Sequence, residues 1–139
     1  MFELHPQLAK DCLGLGRLPL CRVLLMNDAN YPWFILVPER EGLRELHELA
    51  EADRRALWEE STLLSRALAK AFAPDKLNVA ALGNVVPQLH VHHIVRYAHD
   101  PAWPAPVWGR LPAKPYFGAE AAKLMARMRP LLGDALQEA

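Results

Sequence analysis

The sequence feature that most constrains the fold is an apolar repeat with helical spacing between Leu43 and Phe72. Apolar residues recur every three or four positions, and charged residues form an opposite wet face: Glu45, Glu48, Glu51, Arg54, Arg55, Glu59 and Glu60. This spacing predicts one amphipathic helix about 45 Å long, which ends before Pro74. We expect most of its apolar face to pack under the sheet of the same chain and the rest to serve a partner subunit.

Four short apolar runs predict strands on either side of this helix. They cover residues Arg22–Met26, Trp33–Val37, Leu77–Leu82 and Leu89–Val95. Turn-forming residues at positions 27–30 separate the first two runs, and Gly83 with Asn84 separates the last two. Because the first two runs are almost wholly apolar and joined by a turn, they predict an antiparallel hairpin with both faces largely buried.

The flanking segments predict two shorter helices, which cover residues Leu4–Leu15 and Glu120–Met128. Gly14 and Gly16 are expected to end the first of them, and Pro130 is expected to stop the second. Residues 100–115 contain five prolines and two tryptophans, so this segment is predicted to be irregular. We interpret residues 1–139 as a single domain with a tail rich in proline and tryptophan from about residue 100.

The composition excludes several classes of protein. Basic and acidic residues both number 16, so no cationic excess supports binding to a nucleic-acid polymer. Hydrophobic residues make up 52% of the chain, which is enough for a real core at this size. No apolar run is long enough to span a membrane, and the first residues do not resemble a signal peptide. Cys12 and Cys21 fit neither a zinc motif nor a CxxC motif, so we expect free thiols in a cytoplasmic protein.

The last predicted strand carries most of the chemistry. Side chains alternate between the two faces of a strand, so Gln88, His90 and His92 are expected on one face and His93 on the other. The preceding Gly83–Asn84 turn offers backbone N–H groups near the first face. Two imidazoles, an amide and an amide-rich turn suit an anionic substrate.

Three interpretations of this strand compete. A neutral imidazole can attack phosphorus and form a phospho-histidine intermediate that water resolves, while its neighbour orients a proton. Alternatively, His90 and His92 can ligate a metal, but the motif supplies no third ligand. The histidines can also lie on a partly wet sheet face without any chemistry. We favour attack at phosphorus because two histidines and a glutamine share one predicted face after a Gly-Asn turn.

These residues resemble the motif of the histidine triad (HIT) family, which is His-φ-His-φ-His-φ-φ with φ apolar. Residues 88–94, QLHVHHI, match it with Gln88 in place of the first histidine and His93 at an apolar position. The strand pair, the long helix and the histidine strand follow the family's order over Arg22–Arg96. The tail, DPAWPAPVWG, resembles a bacterial HIT-like branch that often carries Gln-Leu-His-x-His.

The resemblance implies an α+β fold with an antiparallel sheet of about five strands, one long helix and one or two shorter helices. It also implies a homodimer that hydrolyses or transfers nucleotidyl groups at an α-phosphate. Substrates of the family include dinucleoside polyphosphates and nucleoside phosphoramidates. The family's middle histidine is the nucleophile and its last histidine helps to bind phosphate, which places these roles on His90 and His92.

Further residues take their expected roles from the same resemblance. Asn84 matches a polar position in the family's glycine-rich turn, which begins here at Gly83, and Asn27 or Asp28 matches the ribose-binding residue. Gln88 can donate and accept hydrogen bonds, but it cannot become cationic or exchange a proton at neutral pH. From its position alone, Arg96 is expected either to steer phosphate or to be a solvated surface residue.

No cofactor is expected for the covalent step, although a polyphosphate substrate can arrive with Mg²⁺. Gln88 motivates a rival hypothesis, a nucleotide-binding or sensing protein with little turnover, and a metal-binding protein is a third. The tail residues Trp103 and Trp108 either cover a base pocket or pin the tail to the core, and we favour pinning.

Overall fold

A five-stranded antiparallel sheet is the centre of the fold in the computed structural model, which describes residues 1–138. The strands are β1 (Cys12–Arg17), β2 (Cys21–Met26), β3 (Trp33–Pro38), β4 (Lys76–Ala80) and β5 (Val91–Arg96). The helices are α1 (Pro6–Asp11), α2 (Glu51–Phe72) and α3 (Glu120–Leu132). The strand order β1-β2-β3-β5-β4 places β5 inside the sheet and β4 at its edge. The predicted α+β fold with one long helix is therefore confirmed.

The two faces of the sheet bury different residues because side chains alternate along each strand. One face packs against α2 and α3 and contributes Val23, Phe34 and Val95 to the larger core. The other face contributes Ile35 and Ile94 to a smaller core that α1 and the segment after β5 cover. The predicted β2–β3 hairpin is confirmed, and β3 is buried along its whole length. The hairpin is thus largely buried on both of its faces, as the apolar runs predict.

Each of the three helices differs from its sequence-based prediction at one end or both. The long helix begins at Glu51 rather than Leu43, because a single 3₁₀ turn over Leu46–Glu48 and an extended Ala50 precede it. It therefore has 22 residues and is about 33 Å long. At the other end of the chain, α3 runs through Pro130 to Leu132. Only one helical turn remains there, and buried Met128 and Leu132 hold it on the core.

The N-terminal helix is also shorter than predicted, and its expected end forms a strand. Helix α1 stops at Asp11, so Gly14 and Gly16 lie inside β1 instead of ending a helix. A β-carbon on Gly16 would lie 2.5 Å from the carbonyl oxygen of Gln137. Glycine is therefore required here because the backbone of residue 137 pairs with Arg17 at this point.

The predicted irregular segment at residues 100–115 is confirmed. The cysteines Cys12 and Cys21 are both free thiols. Within residues 1–138, no helix combines the length and apolarity that crossing a membrane requires.

A buried carboxylate joins α2 to the sheet. Glu60 was expected on the wet face of the helix, but it is buried and accepts hydrogen bonds from the backbone N–H groups of Leu20 and Cys21 at 2.8 and 2.9 Å. These donors lie where the chain enters β2, so the carboxylate satisfies N–H groups that strand pairing leaves free. Charge-assisted bonds of this kind are stronger than neutral ones.

We expect Glu60→Ala to lower the free energy of unfolding by about 2–4 kcal/mol, because it leaves two buried N–H groups without acceptors. Urea denaturation followed by circular dichroism measures the change. The neighbouring exposed Glu59 provides the matched control, and Glu59→Ala should change stability by less than about 0.5 kcal/mol. Equal effects of the two substitutions would contradict the role of the buried carboxylate.

Candidate functional site

A cleft opens on the sheet face that lies opposite α2, beside the start of β5. It has a volume of about 330 Å³. Its lining comes from α1, from the turn at residues 82–86, and from Trp33, His90, His92 and Trp108. A second cavity of about 420 Å³ adjoins it and shares Asp11, Met26, Trp33 and Trp108 with it. Both volumes lie in the range of small-molecule sites.

His90 lies immediately before β5, and its ring is held in one tautomer. The Nδ1 atom is 2.6 Å from the carbonyl oxygen of Gln88. Because a carbonyl oxygen can only accept, Nδ1 carries the proton and Nε2 keeps a lone pair. Burial lowers the pKa of His90, and the nearby His5 lowers it further against the effect of the Gln88 carbonyl. His90 is therefore a neutral imidazole whose unprotonated nitrogen is available as a nucleophile.

His92 points to the same face as His90, as the strand alternation predicts, with ring centroids 4.8 Å apart. The indole N–H of Trp33 donates to His92 Nδ1 at 3.0 Å. His92 Nε2 then carries the proton and donates it to the carbonyl oxygen of Leu82 at 3.1 Å. Burial, reinforced by His90, lowers the pKa of His92 to about 4. His92 is thus neutral but presents an N–H donor beside the turn.

The turn after Leu82 approaches His90 closely. A β-carbon on Gly83 would lie 2.7 Å from the Val86 carbonyl oxygen, so any other residue would push the turn open. The same β-carbon would lie 3.6 Å from His90 Cε1. Asn84 lines the cleft and is exposed, and Val85 beside it is 88% exposed. The turn can therefore present its backbone N–H groups and the Asn84 amide to an anion that contacts His90.

The Gln88 side chain does not line the cleft, because the N-terminal segment that packs on this sheet face binds it. Its side-chain oxygen accepts from the backbone N–H of His5 at 2.8 Å, and its amide nitrogen donates to the Glu3 carbonyl at 2.9 Å. Its backbone carbonyl accepts the hydrogen bond from His90. Gln88 therefore ties the N-terminal segment to the strand and orients the His90 ring through its main chain.

The candidate ribose-binding residues lie in the adjoining cavity. Asp28 is buried, and its Oδ1 accepts from the backbone N–H groups of Asn30 and Lys114. The Asn27 side-chain oxygen accepts from the Tyr116 N–H at 2.9 Å. Both residues therefore hold the tail against the turn after β2 while they line the cavity.

Arg96 corrects both sequence-based expectations, since it neither lines the cleft nor lies on the surface. Its side chain is 2% exposed and forms a bidentate salt bridge with Asp100 at 2.8 and 3.1 Å. It also donates to Asn78 Oδ1 and to the Ala105 carbonyl, both at 2.8 Å. Arg96 thus fixes the start of the tail to the sheet and does not reach the predicted phosphate position.

The tail tryptophans have different surroundings. The rings of Trp108 and His92 lie nearly perpendicular with centroids 5.0 Å apart, and Trp108 lines both cavities. Trp103 lies 5.7 Å from the Arg96 guanidinium and lines neither cavity. Trp103 therefore pins the tail, whereas Trp108 is part of the wall of the site.

His93 lies on the opposite face, as predicted. Its Nδ1 donates to the Val91 carbonyl, and its Nε2 accepts from the Ser61 hydroxyl at 2.7 Å. Burial lowers the pKa of His93 to about 4. It is a fully satisfied core residue that joins β5 to α2.

Sequence reasoning missed two contributors to the site, Trp33 and Asp11. The sequence predicts Trp33 in a buried strand, but no local pattern shows that its indole reaches β5. Within residues 1–138, no group of three or more histidine, cysteine, aspartate or glutamate residues is arranged to hold a metal ion.

The chain is similar to known proteins in both sequence and fold. The profile of the HIT domain matches residues 8–99. A crystal structure of a histidine triad protein from Marinobacter aquaeolei is 54% identical, with a TM-score of 0.93 over 95% of this chain and 96% of that one. A histidine triad protein from Bradyrhizobium japonicum is 44% identical, with a TM-score of 0.93 over 94% and 98%. A third, from Sinorhizobium meliloti, is 44% identical with a TM-score of 0.90 over 92% and 95%. The comparison with curated proteins gives no match.

We expect Asp100→Asn to destabilise the protein at neutral pH by more than it does in acid. Burial opposes ionisation of Asp100, but the Arg96 guanidinium and backbone N–H groups lower its pKa to about 2. The carboxylate therefore contributes stability above its unfolded pKa of about 4, and this contribution disappears as the pH falls through 2.

Urea unfolding of both proteins between pH 7 and pH 2 measures this difference. The difference should be constant above pH 4 and shrink below it. Asp134→Asn removes one exposed carboxylate and controls for the general loss of charge. A difference that does not change with pH would contradict the ion-pair assignment.

Proposed function

Because the chain belongs to the histidine triad family, which includes nucleotide hydrolases and transferases, we propose that it transfers a nucleotidyl group to His90 and then to water or another acceptor. The substrate class is a nucleotide that reacts at its α-phosphate, either a nucleoside phosphoramidate or a dinucleoside polyphosphate. We also place the chain in the family branch that carries glutamine at the first motif position, as Gln88 suggests.

The observation that carries this proposal is the tautomer of His90. Its Nδ1–H donates to the Gln88 carbonyl, so the lone pair on Nε2 is available for attack. When Nε2 bonds to phosphorus, the ring becomes cationic, and the same carbonyl stabilises it through Nδ1–H. The lowered pKa keeps this nucleophile unprotonated at neutral pH.

The reaction proceeds in two displacements. Nε2 of His90 forms a bond to the α-phosphorus while the bond to the leaving oxygen or nitrogen breaks, and that group departs with a proton from solvent. Water then attacks the phosphorus, the P–N bond to His90 breaks, and the proton of the water returns to solvent. Asn84, the N–H groups of the turn that begins at Gly83, and His92 Nε2–H hold the phosphate oxygens. The covalent step needs no cofactor, and Mg²⁺ enters only as part of a polyphosphate substrate.

The nucleoside occupies the adjoining cavity in this proposal. Trp108 contacts the base, and the Asp28 carboxylate or the Asn27 amide accepts from the ribose hydroxyls. Gln88 and Arg96 support the site from outside the cleft, one by orienting His90 and the other by fixing the tail.

We expect His90→Ala to abolish turnover, with a loss of about a thousandfold or more, because no other lone pair replaces Nε2. A fluorogenic AMP phosphoramidate and a dinucleoside polyphosphate serve as substrates. Mass spectrometry of the quenched wild-type reaction should find a nucleotidyl adduct on His90. His47→Ala removes an exposed histidine and is the control. Equal turnover by wild type and His90→Ala would overturn the catalytic assignment.

One observation favours a second candidate function, nucleotide sensing without turnover. Gln88 replaces an imidazole, and its side chain is engaged by the N-terminal segment rather than by the cleft. Calorimetry with AMP and GMP on the same preparations distinguishes the two candidates. Tight nucleotide binding without turnover or adduct would support the sensor.

We further propose that the protein forms a homodimer through the face that combines α2 with the edge strand β4. Apolar side chains are exposed there, with Trp58 at 73% and Val79 at 49%, around an apolar groove of about 310 Å³. Among residues 1–138, β4 pairs with β5 alone, so its other edge offers unpaired backbone groups. A two-fold axis can pair β4 antiparallel with its own copy and bring both Trp58 side chains into contact, which makes a second copy the best occupant.

We expect Trp58→Glu to shift the protein from dimer to monomer, because it places a charge in the apolar contact. Light scattering after gel filtration measures the mass. Phe117 is 85% exposed outside this face, so Phe117→Glu is the matched control and should leave the mass unchanged. A wild-type protein that is monomeric at high concentration would refute the dimer.

A further inference from the structure

We propose that Trp33 is a positioning residue that fixes the proton of His92 on Nε2 and thereby keeps His92 a neutral hydrogen-bond donor in the cleft. The consequence for catalysis rests on the proposed function above. The tautomer of His92 does not depend on the proposed function, and it can be measured without any turnover.

The geometry of β3 and β5 brings the two rings together. Trp33 pairs with Ile94 across the strands, and its ring centroid lies 5.6 Å from that of His92. Its indole N–H donates to His92 Nδ1 at 3.0 Å. Trp33 is itself buried between Tyr31 and Trp108, whose rings contact it edge-on at 6.4 and 5.9 Å. The donor is therefore held in place from both sides.

The indole leaves His92 only one neutral tautomer. An indole N–H can donate but cannot accept. A proton on His92 Nδ1 would therefore make two N–H donors face each other in a buried place. The ring proton must then lie on Nε2, where the Leu82 carbonyl accepts it at 3.1 Å. Leu82 directly precedes Gly83, so this N–H is located beside the turn that we assign to phosphate. A phosphate oxygen can replace the carbonyl as acceptor without any change in protonation.

The same contact opposes a charge on His92. A cationic ring would have to protonate Nδ1 and lose the indole bond. Burial and the nearby His90 lower the pKa of His92 in the same direction. The titratable groups around the ring are His90 in front of it, His93 next to it on the opposite face, and Asp11, which lines the same cleft from α1. Burial and His90 already disfavour the cationic form of His92, and the hydrogen bond from Trp33 disfavours it further.

Long-range nitrogen–proton NMR of histidine-labelled protein tests the tautomer directly. In the wild type, we expect His92 to show a protonated Nε2 and an unprotonated Nδ1 at every pH from 6 to 8. Trp33→Phe keeps an aromatic ring but removes the donor, so both tautomers should become populated and the titration midpoint should rise. Trp103→Phe, which alters a tryptophan outside both cavities, should match the wild type.

Activity provides a second measurement on the same variants. We expect Trp33→Phe to lower kcat/KM for the phosphoramidate about tenfold at pH 7 and to change its pH profile below pH 7. Trp103→Phe should keep the wild-type profile.

The outcomes separate this inference from the proposed function. A protonated Nδ1 on His92 in the wild type would overturn the inference even if Trp33→Phe did not fold. An unchanged tautomer and titration of His92 in folded Trp33→Phe would also overturn it. If neither protein turned over any nucleotide but the tautomer behaved as expected, only the proposed function would fail.

Discussion

Three imidazoles lie buried within four residues of chain, and the cost of burying charge governs how each one is used. His90, His92 and His93 all have lowered pKa values because burial disfavours their cationic forms. Each neutral ring has one N–H, and in each case a backbone carbonyl accepts it. The second nitrogen distinguishes the three rings. The second nitrogen of His92 accepts from Trp33, and the second nitrogen of His93 accepts from Ser61. In His90 the second nitrogen is Nε2, which we propose as the nucleophile.

The position of the tail depends on a second buried arrangement at the other end of β5. Arg96 holds Asp100 in a bidentate pair and also binds a tail carbonyl, so the chain turns back across the sheet face instead of leaving it. This path brings Trp108 against His92 and places residues 112–116 beside Asn27 and Asp28. The wall of the cleft therefore depends on an ion pair that does not touch it. A charge pair of this kind is costly to break because either partner alone would be a buried, unpaired charge.

Strand alternation predicts which face carries each histidine but not which partner each polar side chain meets. His92 and His93 lie on opposite faces as predicted, since both are inside the strand. Gln88 was predicted beside the substrate, but its side chain binds the backbone of His5 and Glu3, and nothing local to residue 88 indicates these partners. Arg96 illustrates a different limit, because an arginine at a strand end looks exposed until its partners are known. Its partner Asp100 is close in sequence, but the tertiary fold brings Asn78 and the Ala105 carbonyl to Arg96.

The family resemblance implied the five-stranded antiparallel sheet, although residues 12–15 of β1 were predicted as part of a helix. The sequence by itself determined the β2–β3 hairpin, the long helix and the face that carries His90 and His92. These features follow from periodicity, which each segment of chain expresses through its own apolar residues. The single-domain interpretation of residues 1–139 and the cytoplasmic location stay predictions. Only the tertiary structure decided the tautomers of the three histidines, the burial of Glu60 and Arg96, and the contact between Trp33 and His92. Some of the partners are close in sequence, such as the Gln88 carbonyl for His90, but Trp33, Leu20 and Asn78 come from other elements, and no local pattern records which donor or acceptor will meet a buried polar group.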